Sequence, residues 1–101
     1  MNTYLMRFET KPAMASDNFG KFAGCYWTVW VCSDSQDAAI QRAIDYAANQ
    51  GWEFYKERDI YLATRDAHLG DPLLLQRFDE AQIAGIAAIL DTFKTRIVET
   101  N

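Results

Sequence analysis

Between Ala23 and Trp52 the hydrophobic pattern changes period twice: AGCYWTVWVCSDSQDAAIQRAIDYAANQGW runs from a two-residue to a 3.6-residue period and back. In the first part, alternation sends Ala23, Cys25, Trp27, Val29 and Val31 to one face of a strand and Phe22, Tyr26, Thr28 and Trp30 to the other. Both faces are largely apolar, which predicts a central strand covered on both sides. The second part predicts a helix. Ser33 and Gln36 have the spacing of a capping box, and Asp34 and Asp37 place negative charge in the first turn. Ile40, Ala43, Ile44 and Ala47 form its apolar stripe, and the two alanines let it lie close to a sheet. Gly51 supplies the left-handed C′ position, and Trp52 resumes the strand pattern.

The flanking segments extend this unit. Thr3 to Thr10 alternates Tyr4, Met6 and Phe8 against Leu5, Arg7 and Glu9, a half-exposed strand. Lys11 to Lys21, with Pro12, Ser16, Asp17, Asn18 and Gly20, is a loop whose large apolar anchors are Met14 and Phe19. Glu53 to Thr64 is a further strand with an awkward middle, Lys56-Glu57-Arg58-Asp59, where strict alternation puts basic residues on the core side. A bulge or a hairpin turn there would resolve it, and the lack of Gly, Pro or Asn favours one long strand. Asp71-Pro72 starts a second helix, with Leu74, Leu75, Phe78 and Ala81 on its apolar side. That helix either runs on to Ile97 or stops at Gly85 as a C′ cap, which frees Ile86 to Phe93 as a fourth strand.

The succession of aromatic strand (Tyr26-Trp27-Thr28-Val29), acid-capped helix, Gly51-Trp52, charged strand and Phe78-Asp79-Glu80-Ala81 before Gly85 resembles a group of small uncharacterised bacterial α+β proteins. The resemblance covers Tyr26 to Phe93 and implies that the closing segment is a strand ending in an aromatic, here Phe93. It implies a fold and a bacterial origin, with no site or activity attached. The whole chain then reads as α+β: a two-layer sandwich of order β-β-α-β-α-β, a four-stranded sheet with both helices on one face and a ferredoxin-like look.

At 101 residues the chain makes a single domain with a modest core. Half of its residues are hydrophobic, so it is not a disordered segment. Its net charge of −4 argues against nucleic acid as a partner, and Gly20-Lys21-Phe22-Ala23-Gly24 matches an RNA-binding strand motif neither in spacing nor in charge. Arg7 interrupts the first apolar run, which reads against a signal peptide, and no stretch approaches a membrane span. Cys25 and Cys32 lie on one strand, roughly 23 Å apart at about 3.3 Å per residue, beyond the ~7 Å reach of a disulfide. Unpaired, apolar-flanked cysteines suit the cytoplasm.

Few residues carry chemistry. His68 is the sole histidine, in a loop with Asp66 and Asp71; one loop does not supply the converging ligands of a metal site, so no metal or cofactor is expected. No serine sits in a glycine-flanked elbow, no glycine-rich phosphate loop exists, and the acidic pairs Glu57/Asp59 and Asp79/Glu80 read as solvated surface. The most informative feature is a face. With both helices on the side of Cys25, Val29 and Val31, the other side would display Tyr26, Trp30, Tyr55 and Tyr61 beside Glu57 and Asp59. So aromatic a face calls for a cover: a second copy in a homodimer, a protein partner, or a small ligand that is cationic. The leading expectation is a binding or interaction module using that face. A small dimeric enzyme with a pocket near His68, and an acidic immunity-type protein that complements a basic toxin, are the alternatives.

Overall fold

The structure, a computed structural model, describes residues 1–94. Its elements are strand β1 (Asn2–Pro12), strand β2 (Gly24–Ser33), helix α1 (Gln36–Asn49), strand β3 (Trp52–Leu62), a 3-10 turn (Asp66–His68), helix α2 (Pro72–Ala84) and strand β4 (Ile86–Phe93). The α+β class and the expected element order hold. The four strands form one antiparallel sheet of order β3-β1-β2-β4. Both helix stops use glycine: Gly51 and Gly85 each adopt φ of 86°, which a side chain would strain. Gly85 therefore ends α2, and the fourth strand follows it and closes at Phe93; residues 95–97 of the longer-helix alternative lie outside the described chain.

Local chemistry shifts one boundary. Ser35, not Ser33, caps α1: its Oγ accepts the Ala38 N–H at 3.1 Å, while Ser33 Oγ accepts only from the Ser35 N–H. The helix face that meets the sheet is Ala39, Ala43 and Ala47, all fully buried, with Ile40 packed at its margin. A helix with methyls on its inner face can approach a sheet that carries large rings. Phe8 and Trp27 stack there with ring planes 5° apart, and the Trp27 indole donates to Thr10 Oγ1 at 3.0 Å.

The helices do not share a face, and this corrects the expected arrangement. Tyr4, Met6, Phe8, Cys25, Trp27, Val29 and Val31 pack under α1, whereas Leu5, Trp30 and Ala87 pack with Phe78 and Ala81 of α2. Residues directly opposite in the ladder share a side, and Leu5–Trp30–Ala87 form one such row, offset by one residue from the α1 rows. At this end of the sheet the two central strands are thus covered on both sides. The connectivity explains why α2 covers only one end. Leu62 and Ile86 lie at the same end of the sheet, on opposite edges. Three strand spacings, roughly 14 Å, separate them, and α2 bridges that gap over the rows of Leu5 and Thr3. Gln82 donates to Thr3 Oγ1 at 2.9 Å, and Cys32 Sγ donates to the Ala81 carbonyl at 3.3 Å.

Strand β3 is one long strand, with its awkward middle resolved by bulges. The register with β1 slips at Arg58 and again at Tyr55, leaving each without an opposite residue. The loop before β2 is tied to the end of α1, with the Ala13 N–H on the Gly51 carbonyl and the Asn18 amide on that of Gln50. Met14 and Phe19 anchor nothing there, being 82% and 55% exposed.

Candidate functional site

Beyond the end covered by α2, the same face stays open along the rows Asp59–Arg7–Thr28–Ile89 and Lys56–Glu9–Tyr26–Asp91. Of the residues expected to make an aromatic-acidic surface, Tyr26, Tyr55 and Tyr61 are exposed, at 38, 51 and 46%. Trp30 is not part of it. Its ring is fully buried beneath α2, because that helix takes this face instead of the other. Glu57, though exposed, is no longer on this face: the Arg58 bulge sets it opposite Phe8, on the α1 side, and brings Lys56 opposite Glu9. Asp59 stays, but its charge is taken. Arg7 donates to both its oxygens, at 2.9 and 2.7 Å. These bonds and the nearby guanidinium hold the Asp59 carboxyl below the usual carboxylate range.

The rings are engaged as well. The Arg58 guanidinium lies 5.3 Å from the Tyr26 ring centroid, and Phe93 packs on Tyr26 with centroids 4.8 Å apart. The Lys11 ammonium sits 4.2 Å over the Tyr55 ring. The aromatic slots that would take a cationic ligand hold the chain's own cations.

The covered end of the face has a different character. A cavity of about 230 Å³ opens where the 3-10 turn meets the sheet, walled by Leu5, Trp30, Tyr61, Ala63, His68 and Leu74, with Arg7 and Thr28 at its mouth. Through those last two it adjoins a second hollow of about 270 Å³ beside Tyr26, Arg58 and Asp59. His68 is placed there by the start of α2. Asp71 caps that helix through the Leu73 and Leu74 N–H groups, and its own N–H donates to the His68 carbonyl at 3.1 Å. Arg65 clasps Asp79 of α2 with two hydrogen bonds, at 2.9 and 3.1 Å, and fixes the turn to the helix.

The imidazole is 95% buried between Trp30 and Phe78; only 5% of the residue is exposed. The Trp30 indole N–H donates to His68 Nε2 at 2.9 Å. An indole nitrogen only donates, so Nε2 is the accepting nitrogen and the proton of the neutral ring lies on Nδ1. That Nδ1 is buried and has no hydrogen-bond partner. A donor in such a position costs ~1–3 kcal/mol, and few native groups are left so. Among the described residues no carboxylate, hydroxyl or thiol hydrogen-bonds the ring. No three His, Cys, Asp or Glu side chains among the described residues converge as metal ligands.

The position of His68 in a loop before a capped helix is readable in the sequence. Its pairing with Trp30, 38 residues away, leaves no sequence signal. Comparison with known proteins adds no family: no family model matches the chain, and no curated protein or solved structure is significantly similar to it. No helix of the described residues is long and apolar enough to cross a membrane.

Proposed function

We propose that the protein is a binding module for a small, uncharged, ring-bearing molecule with an acceptor oxygen, held in the cavity at His68. One observation carries this reading: a buried Nδ1–H without an acceptor, in a ring that forms a wall of that cavity. Leu5, Ala63 and Leu74 with the rings of Trp30 and Tyr61 provide the apolar part of the lining, and His68 provides the orienting donor once a small movement of its ring opens the closed-off Nδ1–H to the cavity. The guanidinium at the mouth is neutralised by Asp59, so the wall selects no charge. The ligand therefore sits at the covered end of the face, away from the tyrosines over which Arg58 and Lys11 already lie. The free thiols Cys25 and Cys32 support a cytoplasmic setting, and a homodimer is compatible with this reading without being required by it.

Calorimetric titration tests it with three probes of one shape: benzamide, benzoate and benzylammonium. Benzamide is expected to bind best, and His68→Phe, which keeps a ring but removes the donor, is expected to weaken it by about five- to tenfold, in line with the loss of one neutral hydrogen bond of ~1 kcal/mol. Preference for benzylammonium, or equal affinity in a folded His68→Phe variant, would overturn the assignment.

A further inference from the structure

The two edges of the sheet are protected very differently. β3 carries Glu53, Lys56, Glu57, Arg58 and Asp59 and is interrupted by two bulges, devices that keep an edge from accepting another strand. β4, IAAILDTF, has Asp91 as its one charge, no proline, and an unbroken register with β2 from Ile86 to Phe93. Among the described residues nothing pairs with its outer side. Ile83 and Leu90 beside it are 91% and 38% exposed. Tyr46 of α1 and Arg77, Glu80 and Ile83 of α2 rim a shallow concavity over Ala87 and Ala88.

We propose that β4 is a self-association edge: the β4 strands of two copies pair antiparallel about a two-fold axis through Ile89 and join the sheets into one. Such an axis stands normal to the sheet and keeps each face on its own side. Residues brought opposite must then point the same way, so the axis passes through a residue and never between two. The Cys32 N–H donates to the Gly85 carbonyl at 3.0 Å, which sets the phase of the β2–β4 ladder. By alternation the main-chain groups of Ala87, Ile89 and Asp91 turn toward β2, while those of Ile86, Ala88, Leu90 and Thr92 turn outward.

An axis at Ile89 sets Ala88 opposite Leu90 of the partner subunit and Ile86 opposite Thr92 of the partner subunit, so every outward group of the four residues finds a main-chain partner. The side chains complement one another too. The large Leu90 comes over the small Ala88 beside Tyr46, and Asp91 comes over the small Ala87, on the α2 side where Arg77 is already paired with Glu80 at 3.1 Å. An axis one residue on, at Leu90, would instead set Asp91 against Ile89. It is this match of small to large that selects a second copy over an unrelated extended peptide. The inference stands apart from the His68 ligand, since the edge and the cavity share no residue.

Light scattering coupled to size exclusion, on the full chain, reads the outcome. A dimer is expected at micromolar concentration, and a monomer persisting into the hundreds of micromolar would overturn the proposal. Ala88→Pro removes an outward N–H that no strand of the same chain uses, the position at which a sheet edge tolerates proline. It is expected to weaken dimerisation at least about tenfold, the loss of roughly one such bond pair. Should that variant unfold, Leu90→Lys, which adds an edge charge at an exposed site, decides the matter. Undiminished dimerisation of either folded variant would overturn the edge assignment.

Discussion

His68 and Trp30 together define what one residue can and cannot reveal here. The alternation of β2 places Trp30 on the side of Tyr26 and Thr28 correctly, and both sides of that strand are apolar enough to require cover. The expectation of an open aromatic face set aside the second half of that pattern; α2 supplies the missing cover. Truncation of Trp30 to alanine therefore reports on stability before it reports on binding, since a fully buried indole contributes ~3–5 kcal/mol. Cys25 carries a separate prediction. Burial pushes its thiol up to about 11, whereas an unfolded chain ionises it near the ordinary ~8.5. The unfolded state loses the proton first, so the thiol's contribution to stability is complete below about 8.5 and declines as the pH rises toward 11. Urea unfolding at pH 7 and pH 10 should show a larger loss of stability in the wild type than in Cys25→Ala, and an equal loss in both would refute the shift.

At the scale of elements, boundaries written in local chemistry were legible: Asp71-Pro72 at the start of α2, Gly85 at its end, and Gly51-Trp52 between α1 and β3. Two adjacent cap candidates were not separable by spacing, because Ser33 and Ser35 both precede the helix. The geometry makes Ser35→Ala the costly change, by about 1 kcal/mol, and Ser33→Ala nearly silent. Thermal denaturation of the two variants distinguishes them, and a larger loss for Ser33→Ala would contradict the cap. The bulges at Tyr55 and Arg58 were foreshadowed by Lys56-Glu57-Arg58-Asp59, but which acid they turn away depends on the pairing with β1, a relation between segments some fifty positions apart.

The whole molecule is governed by a connection that no local pattern encodes. β3 and β4 occupy opposite edges, their joined ends lie at one end of the sheet, and α2 crosses there on the face that α1 leaves free. That crossing buries Trp30, leaves the rows of Arg7 and Tyr26 open, and opens the His68 cavity between the covered and uncovered halves. Nuclear magnetic resonance with benzamide tests this picture most directly, through the indole N–H of Trp30, whose hydrogen bond to His68 makes it a reporter of the cavity. The account predicts a saturable shift of that signal and intermolecular Overhauser contacts from the ligand ring to His68 and Tyr61. Contacts confined to Tyr26 and Phe93 at the open end, with the Trp30 signal unmoved, would contradict it.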